Sequence, residues 1–78
     1  MHFVYLLKLP NGHYYVGQTS NVFERLKYHE AGRVPSTAKY VSKDLVWYAA
    51  FKDKETALVF EKYLKSSAGK GFRNKHLV

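Results

Sequence analysis

The chain has 78 residues, a length that predicts one domain over residues 1–78 with a single modest hydrophobic core. Its formal net charge of +7 favours contact with polyanions such as nucleic acids. The lack of cysteine excludes disulfides and thiolate metal sites, and no apolar run approaches the length of a membrane span. Because Lys8 and Pro10 interrupt the first apolar stretch, no signal peptide is predicted, and we expect a cytoplasmic protein.

Two strands joined by a tight turn are predicted at the N-terminus. Residues 2–8 and 13–18 are rich in apolar, aromatic and β-branched side chains. A two-residue turn at Asn11 and Gly12 would put Pro10 in the strand ladder, where its missing N–H loses a hydrogen bond. A three-residue turn instead places Gly12 in the left-handed position, and we expect this turn.

The three-residue turn has a consequence for two tyrosines. It pairs Leu7 with Tyr15 and Tyr5 with Gly17, so both tyrosines share one face and Gly17 leaves space beside them. A slip of one residue would send the tyrosines to opposite faces.

A helix is predicted after the hairpin. Asn21 has the side chain of an N-cap, and Glu24 three residues later completes a capping-box pattern. The helix should run to about Ala31 and stop at Gly32. Its buried stripe contains Val22, Leu26 and His29, with Arg25 at the edge.

A polar loop and a third strand should follow. Residues 32–44 are punctuated by Pro35, which indicates a loop. Residues 45–51 are apolar on both faces, so we expect a strand that is central in the sheet or covered.

The last part of the chain predicts a second helix and a short tail helix. Asp53 should cap a helix that runs to about Ser66 and ends at Gly69, and residues 71–78 should form a short basic helix. The expected fold is α+β: a small antiparallel three-stranded sheet flanked by helices, in the order β-β-α-β-α plus a short C-terminal helix.

Glu61 interrupts the apolar stripe of the second helix, whose other members are Ala57, Phe60 and Leu64. A carboxylate in this position needs a partner, because burying an unpaired charge costs several kcal/mol. A salt bridge to Arg25 is one candidate partner. The other is a divalent cation, since Mg²⁺ binds one or two carboxylates together with waters and phosphate oxygens.

The remaining candidate residues each have two interpretations. Arg25 can clamp the oxygens of a phosphodiester or be an ordinary surface arginine, and His29 can belong to a site or to the core. Tyr5 and Tyr15 can take a proton from an attacking water if a cation stabilises the phenolate, or simply pack with satisfied hydroxyls.

In these residues the chain resembles the GIY-YIG nuclease family. Val4-Tyr5 and Tyr15-Val16-Gly17 are similar to its two half-motifs, and Arg25, His29 and the segment around Glu61 follow in the family's order. The resemblance covers residues 3–77. It implies a divalent-metal-dependent endonuclease that hydrolyses DNA, similar to the catalytic module of the bacterial excision-repair nuclease, with structure-specific cleavage or a role in repair or recombination.

The resemblance also implies roles for individual residues. Tyr5 and Tyr15 would shape the nucleophile, with one as general base, Arg25 would contact the scissile phosphate, and His29 would have a supporting role. Glu61 would bind a single Mg²⁺ or Mn²⁺ ion. The residues expected to bind nucleic acid are Gly17, Gln18, Lys39, Lys70, Arg73 and Asn74.

Two departures from the family pattern matter. The first half-motif, Phe3-Val4-Tyr5, lacks its glycine, and Gln18 stands where several relatives carry a lysine that depresses a tyrosine pKa. His29 is a candidate substitute for that lysine. The departure keeps open an alternative function, a catalytically weak basic module that binds nucleic acid.

The expected partners follow from the charge and the resemblance. DNA is the expected substrate, a protein partner would supply targeting, and the chain would be a monomer or a weak dimer. A protein-interaction module is the third class, but it would have no use for Glu61 within an apolar stripe.

Overall fold

The structure is a computed structural model that describes residues 1–40 and 43–78. Within these ranges, three antiparallel strands form one sheet in the order β2-β1-β3, and three helices accompany it. The elements in chain order are β1 (His2–Lys8), β2 (Tyr14–Thr19), α1 (Val22–Glu30), β3 (Asp44–Phe51), α2 (Lys54–Lys65) and α3 (Ser67–His76). The predicted α+β class and element order are confirmed.

The turn between β1 and β2 is the predicted three-residue turn. The Leu9 N–H donates to the His13 carbonyl at 2.9 Å, and the Gly12 N–H donates to the Leu9 carbonyl at 3.0 Å. Gly12 has a φ of 85°, the left-handed conformation that favours glycine. The resulting register pairs Tyr5 with Gly17, as predicted.

The two faces of the sheet serve different purposes. Val4 and Leu6 of β1 point to one face, where they form the core with Ala57 and Leu64 of α2. Burying each such large aliphatic side chain stabilises the fold by roughly 1.5–3 kcal/mol. Tyr5 lies between them in the strand and therefore faces the other side, where α1 packs.

Helix α1 begins and ends close to the predicted residues. Asn21 Oδ1 accepts from the Glu24 N–H at 3.1 Å, so the cap is formed. The Asn21 N–H donates to Thr19 Oγ1 at 3.2 Å instead of to the Glu24 carboxylate, so only half of the predicted capping box is present. Gly32 has a φ of 73° just beyond the C-terminus of the helix.

The third strand was expected to be central or covered; it is not central, and α2 covers one of its two faces. β1 is the central strand, and β3 lies at an edge with its residues alternately exposed and half-buried. Trp47 packs on Phe60 of α2 (ring centroids 6.0 Å apart), while Tyr48 on the other face is 48% exposed and leans on Phe3. An edge strand covered on one face can therefore carry the same apolar run as a central one.

The boundary between the last two helices also differs from the prediction. α2 ends at Lys65 and α3 begins at Ser67, whereas we expected Gly69 to end the second helix and the tail helix to start near Gly71. Ser66 has extended backbone angles, and its Oγ accepts from the Gly69 N–H at 3.1 Å. A serine that caps the next helix outweighs the glycine signal three residues later.

The segment between α1 and β3 is a series of turns over its described part. The Thr37 N–H donates to the Val34 carbonyl at 3.0 Å, and the Tyr40 N–H donates to the Thr37 carbonyl at 3.1 Å. The predicted loop 32–44 also includes residues 41 and 42, which lie outside the described residues. No helix in the described ranges has the length and apolar character needed to cross a membrane.

Candidate active site

The rings of Tyr5, Tyr15 and His29 meet on the face of the sheet that carries α1. The ring centroid of His29 lies 5.7 Å from that of Tyr5 and 5.1 Å from that of Tyr15, and the two tyrosine rings are 6.3 Å apart. The hairpin register supplies the tyrosines, and the buried stripe of α1 supplies the histidine. A Cβ on Gly17 would overlap the Tyr5 ring, so glycine is needed where this ring crosses β2.

A chain of hydrogen bonds runs through the buried histidine. Tyr5 Oη lies 2.8 Å from His29 Nε2, and His29 Nδ1 lies 2.7 Å from Thr37 Oγ1. His29 and Thr37 are both 0% exposed, and Tyr5 is 2% exposed. The Thr37 hydroxyl also donates to the Val34 carbonyl at 3.4 Å. These side chains come from a strand, a helix and a turn, so the hydrogen bonds between them form only in the folded protein.

Burial determines the protonation states of Tyr5 and His29. Burial raises the pKa of Tyr5 to about 12; the Arg25 guanidinium beside it opposes the rise, and the charges of Tyr15 and Glu61 add to it. Burial lowers the pKa of His29 to about 4, helped by the positive charges of Arg25 and Lys43. At neutral pH the pair is therefore a phenol and a neutral imidazole.

Arg25 provides a cation with an unused donor at the edge of this cluster. Its side chain is partly buried, and the proximity of the Tyr5 hydroxyl raises its pKa, so it stays charged. Among the described residues, its buried Nε has no hydrogen-bond partner. A buried donor without a partner costs about 1–3 kcal/mol, which an anionic ligand such as a phosphate oxygen would recover.

Glu61 does not form the salt bridge to Arg25 that we considered. Its Oε2 lies 3.3 Å from Lys65 Nζ, one helical turn further along α2, and its side chain is 14% exposed. Its negative charge nevertheless reaches Tyr5, whose pKa it helps to raise. Glu61 therefore influences Tyr5 electrostatically while its carboxylate pairs with an exposed lysine.

The carboxylate of Glu61 could hold a divalent ion only if most of the ion's ligands were waters and substrate oxygens. Within the described ranges, no group of three or more His, Cys, Asp or Glu residues could hold a metal. Asp53 caps α2 through a 2.8 Å bond from the Thr56 N–H, and Asp44 and Glu55 are exposed. One carboxylate, completed by waters and substrate phosphate oxygens, is a set that Mg²⁺ accepts.

A basic groove adjoins the cluster and follows the edge of β2. One cavity of about 310 Å³ is lined by Tyr14 and Tyr15 of β2 and by Lys65, Lys70 and Arg73. A neighbouring cavity of about 300 Å³ shares three of these residues and extends to His13 and Asn74. The Arg73 guanidinium lies 4.9 Å from the centre of the Tyr14 ring. The charged lining residues are all cations, which suits a polyanion.

Three of the predicted nucleic-acid-binding residues, Gly17, Gln18 and Lys39, do not line this groove. Gln18 pairs with Val4, so its side chain is on the face opposite Gly17, where it hydrogen bonds to His2 Nε2. Lys39 lies over the Tyr40 ring, with Nζ 5.3 Å from its centre. Lys70, Arg73 and Asn74 line the groove, and Gly17 lies beneath Tyr5.

Three residues of the site were missed by sequence reasoning. Two of them could have been found from the sequence. Lys65 lies four residues after Glu61, the spacing of a helical ion pair, and Tyr14 precedes the candidate Tyr15. Thr37 could not: it lies in a segment without periodicity, and its partner His29 is eight residues away.

The structure brings two tyrosines, a histidine and an arginine together beside a basic groove. The GIY-YIG catalytic domain matches the chain over residues 1–75. The chain belongs to the GIY-YIG family, whose members are nucleases that are generally dependent on a divalent metal.

A solved structure agrees with this family. The chain is 34% identical to the UPF0213 protein BH0048 from Bacillus halodurans, whose structure was determined by NMR in solution. The two structures superpose with a TM-score of 0.59, and the match covers 95% of this chain and 82% of that one. Comparison with curated proteins gives no match.

Proposed function

We propose that this protein is an endonuclease that hydrolyses phosphodiester bonds of DNA with a single divalent ion. The observation that carries the proposal is the buried hydrogen bond of 2.8 Å between Tyr5 and a neutral His29, beside the unpartnered Nε of Arg25. This arrangement joins a proton acceptor to a phosphate-binding cation, the two functions that hydrolysis of a phosphodiester needs from side chains.

The proposed nucleophile is a water that Tyr5 deprotonates. With its pKa raised to about 12, Tyr5 is a protonated phenol at neutral pH and is not ionised before the reaction. It accepts a proton from the water only as its own proton passes to His29 Nε2. The water oxygen then bonds to phosphorus, the bond from phosphorus to the leaving oxygen breaks, and the leaving oxygen takes a proton from solvent.

His29 suits the role of a temporary acceptor. Its pKa of about 4 makes the imidazolium unfavourable beside Arg25 and Lys43, so the proton does not stay on the ring. It returns to Tyr5 once the phenol oxygen has released the proton taken from water to solvent. The relay thus restores the phenol for the next reaction.

Arg25 is the proposed ligand of the scissile phosphate. Negative charge grows on the phosphoryl oxygens during attack, and the free Nε–H of Arg25 can donate to one of them. Because the guanidinium lies beside Tyr5, the bound phosphate would be held next to the base.

Glu61 is the proposed ligand of the metal. Its carboxylate is the acidic group whose charge reaches Tyr5, and its partner Lys65 is 55% exposed and free to move into solvent. The ion, Mg²⁺ or Mn²⁺, would supply positive charge that stabilises the phosphate and the leaving oxygen.

The groove is the proposed binding surface for the DNA strand next to the scissile phosphate. Lys70 and Arg73 supply charge, and Asn74 supplies a polar side chain. Contacts of this type recognise the backbone and not the bases. We therefore propose structure-specific cleavage, in repair or recombination, with targeting supplied by a protein partner.

The alternative of a catalytically weak binding module depends on Gln18 in place of a lysine that would activate a tyrosine. In the structure His29 contacts Tyr5 directly, and Gln18 bonds to His2 on the other face. His29 is therefore the proposed substitute for a lysine at position 18, and its contact with Tyr5 supports the enzyme over the binding module.

The proposal is tested by cleavage assays on duplex, nicked, branched and single-stranded DNA, with and without Mg²⁺ or Mn²⁺. We expect metal-dependent cleavage of at least one substrate. Arg25→Ala should lower the rate roughly a hundredfold or more, the usual effect of losing a donor to developing charge. Arg25→Lys should restore little, because an ammonium lacks the guanidinium fork. Failure of the wild-type protein to cut any substrate, or full activity of Arg25→Ala, would contradict the proposal.

A further inference from the structure

We infer that Thr37 is a positioning residue that holds His29 in the tautomer whose Nε2 accepts the proton of Tyr5. The inference rests on the proposed function for its catalytic meaning. The tautomer itself is a property of the folded chain, and it can be measured without any cleavage.

The ring of His29 lies between two hydroxyl groups and can bond to them in two ways. A neutral imidazole has one N–H donor and one acceptor nitrogen. If Nδ1 carries the proton, it donates to Thr37 Oγ1 and Nε2 accepts from the Tyr5 hydroxyl. If Nε2 carries the proton, it donates to Tyr5, and the ring can no longer receive the Tyr5 proton.

The surroundings of Thr37 select the first arrangement. Its hydroxyl donates to the Val34 carbonyl, a bond from a threonine to a residue three positions earlier that is common in turns. With its proton so directed, Oγ1 presents a lone pair to His29 Nδ1 at 2.7 Å. Nδ1 must then be the donor.

The surroundings of Tyr5 select the same arrangement independently. The Arg25 guanidinium beside the Tyr5 oxygen has five N–H donors and no acceptor, so it cannot take the Tyr5 proton. The acceptor within reach is His29 Nε2 at 2.8 Å. The tautomer that Thr37 imposes is therefore the one that Tyr5 requires.

The turn holds Thr37 rigidly enough for this role. Its N–H donates to the Val34 carbonyl, its carbonyl accepts from the Tyr40 N–H, and Val34 is 4% exposed. From the other side, Lys43 Nζ donates to the His29 carbonyl at 2.6 Å. The titratable and charged side chains that surround the His29 ring are Tyr5, Tyr15, Arg25 and Lys43, none of which bonds to Nδ1.

Removing the Thr37 hydroxyl should reverse the tautomer. In Thr37→Val the buried Nδ1 would lose its partner. An unpaired N–H is less tolerable in a protein interior than an unpaired lone pair, so the proton should move to Nε2. Nε2–H would then donate to the Tyr5 oxygen and block the relay. Thr37→Ser keeps the hydroxyl and is the matched control.

The test is ¹⁵N NMR of the histidine rings in the full chain, together with steady-state cleavage. We expect wild type and Thr37→Ser to show His29 protonated at Nδ1, and Thr37→Val to show protonation at Nε2. In Thr37→Val kcat should fall about tenfold to a hundredfold with KM unchanged, a range typical of losing a group that orients a histidine. Thr37→Ser should retain most of the wild-type kcat.

Two results would overturn the inference. One is a wild-type His29 that is protonated at Nε2. This measurement uses only the wild-type protein and does not depend on a variant that folds. The other is a folded Thr37→Val that keeps the proton on Nδ1. If the wild-type chain shows the Nδ1 tautomer and Thr37→Val the Nε2 tautomer, but the wild type cuts no DNA, the proposed function fails while the role of Thr37 in setting the tautomer stands.

Discussion

Tyr5 and His29 are two buried polar side chains that hydrogen bond to each other. Each side chain is almost completely shielded from water, and their hydrogen bond is 2.8 Å long. Burial moves both pKa values away from neutrality, that of Tyr5 to about 12 and that of His29 to about 4. A proton can therefore pass between them during a reaction, but neither residue carries a charge in the resting protein.

The pH dependence of stability tests the buried state of His29. Its folded pKa of about 4 is below the unfolded value of 6.5, so the unfolded chain binds the extra proton first as the pH falls. Stability from this group is fully present above pH 6.5 and is lost as the pH falls toward 4, by up to about 3 kcal/mol. The measurement is the free energy of unfolding in urea between pH 7 and 5.

A pair of variants isolates the contribution of His29. His29→Gln should lose this part of the pH dependence, whereas His13→Gln, which removes an exposed histidine, should keep it. An identical pH profile for wild type and His29→Gln would show that His29 is accessible to protons in the folded state.

At the scale of elements, α2 connects the core to the proposed metal ligand. Ala57 and Leu64 face the sheet, and Glu61 lies on the same helix, where its charge helps to raise the pKa of Tyr5. The pairing of Glu61 with Lys65 is a helical i,i+4 ion pair with a largely exposed lysine, and such a pair contributes only about 0.3–0.5 kcal/mol. This ion pair therefore adds little to the stability of the fold.

Glu61→Gln separates a metal role from a structural one. The free energy of unfolding should change by no more than about 0.5 kcal/mol, because only the pair with Lys65 is lost. DNA affinity without metal should hold or rise, since a negative charge is removed. Mn²⁺ binding, followed by its effect on water proton relaxation, should weaken, and cleavage should collapse.

Glu55→Gln is the matched control, because Glu55 is an exposed carboxylate in the first turn of the same helix. A Glu61→Gln protein that binds Mn²⁺ and cuts DNA like the control would remove Glu61 from the metal site. Destabilisation by about 3 kcal/mol, the effect of orphaning a buried charge, would show instead that Glu61 is a structural residue.

The elements differ in how far sequence reasoning could predict them. The hairpin register was predictable because Pro10 and Gly12 leave one turn that satisfies both residues. The edge position of β3 was not, because apolar residues on both faces do not say which neighbour covers each face. The interaction of Thr37 with His29 depends on how a turn folds back over α1, which no local pattern encodes.

At the scale of the whole molecule, three cations line the groove where the sheet edge meets α3. Lys65, Lys70 and Arg73 line the groove that begins at Tyr15. The fold thus places a cationic surface beside the residues proposed to activate the attacking water. Binding and cleavage should then be separable, because different side chains are responsible for them.

Salt dependence of DNA binding tests the groove. If Lys70 and Arg73 each neutralise a phosphate, the logarithm of the association constant should fall linearly with the logarithm of salt concentration. Lys70→Ala and Arg73→Ala should each reduce the slope by about 0.9 on duplex DNA. Lys52→Ala removes a lysine outside the groove and should leave the slope unchanged. Equal slopes for all four proteins would place the DNA elsewhere.

Single-turnover cleavage by Tyr5→Phe tests the central claim most directly. This change removes one hydroxyl and keeps the ring that packs on Gly17 and Tyr15. We predict a loss of about a hundredfold or more in rate, the usual contribution of a positioned base, with DNA affinity unchanged. Tyr63→Phe, which removes an exposed phenol of α2, should cut at the wild-type rate. Cleavage by Tyr5→Phe at the rate of Tyr63→Phe would contradict the account.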